Sequence, residues 1–439
     1  MDPIIIGLLM IGCLLALVLV GFDLAVALGT LSFLGVWWIE GNISISFNLI
    51  GESAYHAVME YALSVVPMFI MMALFANLSG AADDAYGGVN VLMVKVKGGL
   101  AIATVLANAI FAAICGVSIA SAAIFSKISL PQMESRGYDR KFALGTVAGS
   151  SILGMLIPPS ILMIVYGVLV DESIGRLFVA GVFPGLLLMV IYCLGIMVMV
   201  RIRPEIAGRP PDLSSRSVRM ILKSILRPWQ FVFIIGITLG GIYAGWFTPT
   251  EAGAIGAFAT FLMCILRRKV SKKSLMGIIL DAGFTMASLY FLFICATMYS
   301  RMLSFSGLPV IISGWVATVD LPPFIIILAM IAVYILLGAV IDSVSILILT
   351  IPLFHPVVRS MGFDPYWFAV ISVISIEMGL ITPPFGMVVF AMKASIGDSI
   401  TIEEIFRGVF PWILMMTIAL IILIIFPSFS TYLPHKMAG

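Results

Sequence analysis

The chain has 439 residues, 62% of them apolar and only 10% charged, with a mean hydropathy of +1.19. That balance excludes an ordinary soluble domain, whose surface needs far more charge, and suits helices whose outer faces meet lipid. A net charge of +2 says little about partners, so the placement of the charges carries the information.

The N-terminal run MDPIIIGLLMIGCLLALVLVGFDLAVALGTLSFLGVWW has no basic leader and no small-residue cleavage site, so its first helix is expected to stay in the membrane. A helical crossing takes about 20 apolar residues. Runs of that kind fall at roughly 3–21, 24–39, 63–79, 99–130, 143–170, 177–200, 229–246, 251–266, 284–299, 309–354, 366–395 and 408–428. Gly and Pro interrupt the longest of them, which predicts discontinuous helices or re-entrant hairpins. The five cysteines, Cys13, Cys115, Cys193, Cys264 and Cys295, lie inside apolar runs without CxxC spacing and read as small core hydrophobes, with neither disulfides nor a bound metal expected.

Residues 201–227 form a polar stretch carrying Arg201, Arg203, Arg209, Arg216, Arg219, Lys223 and Arg227 against Glu205 and Asp212. The positive-inside rule places it in the cytoplasm. A second basic cluster, Arg267, Arg268, Lys269, Lys272 and Lys273, should face the same side, with runs 229–246 and 251–266 supplying the two crossings between them. The expected organisation is N-terminal scaffold helices over 1–60, a first repeat over 61–200, a cytoplasmic linker over 201–228, scaffold helices and an arm over 229–283, and a second repeat over 284–439.

The repeat is visible residue by residue. Pro131, Gly137, Asp139, Pro158 and Pro159 each find an identical residue 225 positions later, at Pro356, Gly362, Asp364, Pro383 and Pro384. Further on, AGVFPG at 180–185 answers RGVFPW at 407–412. The turn at 131–141 carries Arg136, Arg140 and Lys141, whereas its counterpart at 356–364 carries only Arg359. Opposite charge placement puts the two turns on opposite faces, which makes the repeat inverted.

Each repeat holds a Pro-Pro pair inside an apolar stretch, SSILGMLIPPS at 150–160 and EMGLITPPFG at 377–386. Proline lacks an amide hydrogen and clashes with the preceding turn, so Pro158–Pro159 and Pro383–Pro384 should unwind their helices. One such motif is also what an ordinary kink looks like; two at symmetry-related positions point to broken helices whose freed carbonyls face protein, water or a cation. Before each break comes a small polar segment, Gly116, Ser118 and Ser121 in the first half and Gly338, Asp342, Ser343 and Ser345 in the second. Their hydroxyls read equally as packing groups and as oxygen ligands, while Asp342 is a carboxylate in an apolar setting and is functional by default.

These features together resemble the large membrane subunit of tripartite ATP-independent periplasmic (TRAP) transporters. The carriers are VPMFIMMALFANLSGA at 66–81, GGLAIATVLANAIFAAICGVSIASAA at 98–123, GSSILGMLIPPSILMIVYG at 149–167, TPTEAGAIGAF at 248–258, and DSVSILILTIPLFHPVV followed by GLITPPFGMVVF. The resemblance implies an all-α polytopic inner-membrane protein with inverted repeats, re-entrant hairpins and broken helices, moving as an elevator. It also implies sodium-driven import of an organic acid, a separate small membrane subunit and a periplasmic substrate-binding protein. Carried over to this chain, one sodium site falls at Gly338, Gly379, Thr382 and Phe385, and its repeat partner around Gly116, Ser151, Gly154, Ile157 and Ser160, mainly through backbone oxygens. Ser118, Ser150, Asp342, Ser343 and Arg301 are the candidates for substrate contact or coupling. C4-dicarboxylates, sugar acids and sialic acid all fit as solutes.

Glu251 in TPTEAGA reads as part of a helix N-terminus, and Arg301 reads either as a partner for a substrate carboxylate or as an arginine reaching the membrane interface. His56, His355 and His435 show no HExxH arrangement, and no GxxxxGK[ST] loop is present, so neither metalloprotease nor ATP-driven chemistry has its machinery. No cofactor and no enzymatic activity are expected. The competing readings are a standalone sodium-coupled divalent-anion symporter, an intramembrane hydrolase, for which no nucleophile and base present themselves, and a channel.

Overall fold

A computed structural model describes residues 2–93, 96–208, 228–318 and 321–437. Among these the chain is helical, with one isolated antiparallel bridge between Tyr138 and Ala207 and no strand. Seven of the described helices are long and apolar enough to cross a membrane, and the shorter apolar ones are mostly the halves of hairpins and broken helices.

The first repeat begins with a hairpin, Gly99–Cys115 and Ser118–Ile128, turned at Gly116, which has a φ of 65°. A short helix, Leu130–Glu134, leads to a broken helix made of Arg140–Ser151, Leu153–Leu156 and, beyond the break, Ile161–Val170. The second repeat reproduces the plan with a hairpin of Pro323–Gly338 and Ser343–Ser360 and a broken helix of Pro365–Gly379 and Met387–Ile396. A long helix follows each, Ile174–Ile202 and Ile402–Ile425. The expected run 309–354 therefore resolves into three helices, Leu308–Thr318, Pro323–Gly338 and Ser343–Ser360.

The residues that repeat 225 positions apart do the same local work twice. Gly137 and Gly362 both take a left-handed φ, 75° and 77°, in open space, so the turn alone asks for glycine there. Asp139 caps the first broken helix by accepting from the Phe142 amide at 2.9 Å. Asp364 caps the second by accepting from the Tyr366 and Trp367 amides at 2.8 and 3.1 Å. Such caps satisfy amides that a helix start leaves unpaired. Both Pro-Pro bonds, Pro158–Pro159 and Pro383–Pro384, are cis.

Helix Ile174–Ile202 gives the orientation. Its 29 residues span about 43 Å, more than the hydrocarbon thickness. Beyond its C-terminal end the Ile206 carbonyl accepts from the Asp139 amide at 3.0 Å, which fixes the first turn there. At its N-terminal end Glu172 accepts from Tyr366 Oη at 2.9 Å and pairs with Arg359 at 3.2 Å, which fixes the second turn. The two turns lie on opposite faces, so the repeat is inverted. Arg267 reaches the Ser79 carbonyl and Gln230, at 3.1 and 2.7 Å, and pairs with Asp84, so the second basic cluster shares a face with the start of helix Trp229–Tyr243. Of the expected linker, Arg209, Asp212, Arg216, Arg219, Lys223 and Arg227 lie outside the described residues.

Three helices run across or outside the apolar runs read from the sequence. Lys272–Ser306 is one helix of 35 residues, so the boundary drawn between 283 and 284 falls inside it; Asp281 and Gly283 lower the local hydropathy without ending the backbone ladder. Helices Ile43–Met59 and Ala81–Met93 were absent from the apolar runs because both mix polar residues into their faces. The first of these packs against the long helix, beside helices Pro3–Leu19 and Leu24–Glu40.

The last helix of the second repeat crosses the broken helix of the first. At the crossing Gly145 lies against the Gly408 backbone, and Trp412 fills the space over Gly149, where an added Cβ would come within 2.5 Å of the ring. Gly145→Leu is therefore expected to drive the two repeats apart and lower thermal stability in detergent by about 1–3 kcal/mol or more, the usual cost of overpacking. Gly137→Ala, with open space around it but a left-handed φ, should cost only about 1–2 kcal/mol. A Gly145→Leu protein as stable as Gly137→Ala would contradict this packing.

Candidate functional site

Each hairpin tip meets the break of its own repeat. In the first, the Gly116 carbonyl accepts from the Ile161 amide at 3.5 Å, and a Cβ on Gly116 would come within 2.6 Å of the Pro159 oxygen. In the second, the Ala339 carbonyl accepts from the Phe385 and Gly386 amides at 3.2 and 3.3 Å. The physical need is the same in both: a pair of prolines supplies no amides, and a break within hydrocarbon must find its hydrogen bonds in neighbouring backbone.

Glycine makes the approach possible. A Cβ on Gly338 would stand 2.8 Å from the Gly379 Cα and 2.7 Å from the Ile376 oxygen, and a Cβ on Gly379 would stand 2.6 Å from the Gly338 Cα. At the first tip a Cβ on Gly154 would stand 3.1 Å from the Val117 oxygen. The structure thus brings Gly338, Gly379 and the Phe385 amide together around one tip, and Gly116, Gly154 and Ser160 around the other.

The hydroxyls are partly committed. Thr382 donates to the Met378 carbonyl at 2.7 Å, Ser151 donates to the Ala148 carbonyl at 2.7 Å, and Ser160 accepts from the Met163 amide at 3.3 Å. A hydroxyl that donates to backbone keeps lone pairs for a cation, so Thr382 and Ser151 remain usable oxygens. Ser150 donates to the Thr146 carbonyl and accepts from Asn108 Nδ2, both at 2.6 Å. Ile157 is half-buried and packs on Gly185, while the Phe385 side chain is 53% exposed. Ser118 and Ser343 are buried at the first positions of the two returning hairpin arms.

Asp342 caps its hairpin arm by accepting from the Ser345 amide at 3.0 Å. Glu251 forms a reciprocal cap with Thr248, accepting from its amide at 2.8 Å, as the TPTE pattern led us to expect. Arg301 lies away from the tips, paired with Glu52 at 2.5 Å, in a groove of about 690 Å³ that Asn48 and Ser304 also line. The residue that sequence reasoning passed over is Glu377. It is fully buried, and neither carboxyl oxygen has a hydrogen-bond partner among the described residues. Its signal was available: an acid inside VISVISIEMGLI meets the same test that drew attention to Asp342.

Two hairpins seated on two broken helices, related by inversion and enclosed by membrane-length helices, define a secondary transporter of the inverted-repeat class. The comparisons with known proteins give the particular family. Residues 11–429 match the family described as tripartite ATP-independent periplasmic transporter, DctM component, and the chain belongs to it, as an inner-membrane transport subunit. It is 33% identical over 376 residues to the C4-dicarboxylate TRAP transporter large permease protein DctM of Pseudomonas aeruginosa, covering 85% of this chain and 86% of that one. It is 28% identical over 430 residues to the sialic acid TRAP transporter large permease protein SiaM of Vibrio cholerae, covering 98% and 97%. The fold matches the crystal structure of the Alcanivorax borkumensis YdaH transporter with a TM-score of 0.58 at 11% identity, over 100% of this chain and 98% of that one.

The Arg301–Glu52 pair is partly exposed, with side chains 33% and 64% accessible. Arg301→Gln and Glu52→Gln should each shift thermal stability by less than about 1 kcal/mol, as should their coupling in a double-mutant cycle. A larger coupling would show that the pair is a structural lock.

Proposed function

We propose that this chain is the large membrane subunit of a sodium-driven importer of an organic acid, working by elevator-type alternating access. A single observation carries the reading: in both repeats a hairpin tip is seated on an unwound Pro-Pro break, where backbone oxygens converge at two inversion-related positions. Carbonyl and hydroxyl oxygens are hard donors that suit an alkali cation. Gly338, Gly379, Thr382 and Phe385 would hold one sodium ion, and Gly116, Ser151, Gly154, Ile157 and Ser160 the other. The ions would fix each tip against its break and so set the shape of the space between the hairpins, where Ser118, Ser150 and Ser343 are the candidate contacts to the solute. A carboxylate is the favoured solute class, as in the named cargoes of the Pseudomonas and Vibrio relatives.

The family's description as tripartite supports two partners, a small membrane subunit and a periplasmic binding protein that delivers the solute. Reconstituted in liposomes under a sodium gradient, this chain should give little uptake until both partners and the solute are added. Robust uptake by the chain alone would favour a standalone symporter instead.

The sodium assignment has its own test in the complete complex. Gly379→Val pushes a branched side chain onto the Gly338 backbone, and Gly338→Val does the reverse, so both should raise the sodium concentration for half-maximal uptake by at least about tenfold, the equivalent of about 1.4 kcal/mol. Thr382→Ala, which keeps the backbone oxygen, should act more mildly. Unchanged half-saturation in both glycine variants would place the ion elsewhere. The motion is checked separately: a cysteine at Ser151 or Thr382 should change its accessibility between the two faces as sodium and solute are varied, and accessibility confined to one face would exclude an elevator movement of these tips.

A further inference from the structure

At the end of the molecule that carries Arg201 and Arg203, a cavity of about 230 Å³ opens among four segments of the first repeat. They are the end of helix Ala81–Met93, the start of helix Gly99–Cys115, the turn holding Arg136 and Tyr138, and the chain that follows Ile174–Ile202. The positive-inside rule makes this the cytoplasmic end. Helix Ile174–Ile202 is longer than the hydrocarbon is thick, so Val200, which lines the cavity near the end of that helix, sits at the level of the lipid headgroups.

Backbone shapes the walls. A Cβ on Gly99 would collide with the Met93 carbonyl, one on Gly208 would collide with the Arg136 carbonyl, and one on Gly98 would stand 3.0 Å from Val200. Gly98 and Gly208 also take left-handed φ values of 77° and 59°. Glycine at these three places lets the segments meet around the space without filling it.

The charge on these walls has nothing set against it. Arg136 and Lys97 line the cavity, no acid does, and neither cation has an ion-pair partner among the described residues. The nearby acids are engaged or turned away: Glu134 pairs with Arg140 at 3.3 Å, Asp84 pairs with Arg267, and Glu205 is exposed outside the lining. The amides at the start of Gly99–Cys115 are already taken, Gly99 by the Val96 carbonyl at 2.9 Å and Leu100 by Tyr138 Oη at 3.3 Å. Side chains, and not the helix start, therefore supply the free donors. Tyr138 is buried and accepts from Leu100, so its own proton is left without an acceptor among the described residues. Beside it the Tyr86 hydroxyl is fully buried, unpartnered among the described residues and within electrostatic range of both Arg136 and Tyr138. Buried hydroxyls without partners are uncommon, and these two gather where two cations lack a counter-charge.

The second repeat has nothing equivalent. The residues 225 positions after Lys97, Arg136 and Tyr138 are Pro322, Met361 and Phe363, so the turn itself does not require these groups. The positive-inside rule accounts for two cations at this face but not for the hydroxyls beside them.

We propose that this cavity binds the phosphate group of an anion at the cytoplasmic membrane surface, a phospholipid headgroup or a free phosphate, through Arg136, Lys97 and the Tyr138 hydroxyl. A phosphate offers enough oxygens to take a guanidinium fork, an ammonium and a phenol at once, whereas a single carboxylate is filled by the fork alone. Met93, Val96 and Leu100 add apolar walls beside the cations, and Val96 is exposed, which suits the junction of a headgroup with its acyl chains. Occupied, the site would tie the four segments together. It shares no residue with the two tips, so its occupancy is separable from sodium and solute binding.

The test follows thermal unfolding of the full chain in a neutral detergent as ligand is added. Short-chain phosphatidylglycerol should stabilise the protein saturably, and zwitterionic short-chain phosphatidylcholine should need a concentration at least about tenfold higher. Arg136→Gln should raise the half-saturating concentration at least about tenfold and Lys97→Gln by a smaller factor, while Lys273→Gln, in the other basic cluster, should leave it unchanged. Inorganic phosphate separates the sources. A response to the lipid alone assigns a headgroup, a response to phosphate alone assigns a free ion, and a response to both, lost together in Arg136→Gln, assigns a site open to either. Equal stabilisation by the two lipids, wild-type half-saturation in Arg136→Gln, or stabilisation by succinate in place of both phosphates overturns the proposal. If Arg136→Gln fails to fold, Lys97→Glu at an exposed position decides: its charge reversal should weaken binding at least about tenfold, and unchanged binding overturns the site.

Discussion

Backbone polar groups cannot be left bare in hydrocarbon, and that constraint organises this molecule. The Pro-Pro pairs break two helices where water is scarce, and each break needs a partner that is itself short of hydrogen bonds. A hairpin tip is such a partner. Its turn ends one helix and starts another, leaving carbonyls and amides that the break can use, as the Ala339 carbonyl does when it takes both the Phe385 and Gly386 amides. The glycines at 116, 154, 338 and 379 follow from this, since any side chain would hold tip and break apart.

Because two halves run in opposite directions, equivalent parts meet across the middle and not side by side. The crossing of Gly145 with Gly408 and the reach of Glu377 toward Ser118 are contacts of that kind. They bind the halves into one body while letting equivalent positions differ: Asp342 caps an arm where Val117 does not, and Glu377 stands where Ile152 does in the other half. Asymmetric chemistry on a symmetric frame is what a carrier needs if its two faces are to respond to different conditions.

Much of this was legible in the sequence, for identifiable reasons. Glycine and proline speak through backbone geometry, which is local, so Gly137, Gly362 and both Pro-Pro pairs announced their turns and breaks, and their spacing announced the repeat. Asp139 and Asp364 were visible as repeated anchors, although their capping role needed coordinates. Helix Ile43–Met59 was illegible because its polar residues dilute the hydropathy signal, and the continuity of Lys272–Ser306 was illegible because hydropathy reports lipid contact and not the backbone ladder. Arg301 offered two readings until Glu52, 249 positions earlier, was seen beside it. Contacts between distant segments carry no periodic signature, which is also why Glu377 stood unremarked in a motif otherwise read closely.

The C-terminal helix Ser428–Lys436 packs on Ile174–Ile202, and His435 pairs with Asp364 at 2.8 Å. Asp364 belongs to the turn at the end of Ile174–Ile202 opposite Arg201 and Arg203, so the positive-inside rule assigns this helix to the periplasmic side. A fluorescent protein joined behind it by a short spacer would have to mature outside the cytoplasm, where common variants stay dark, and would crowd the surface that a binding protein must approach. Alkaline phosphatase, which needs the periplasm to become active, is the reporter that this end of the chain can display.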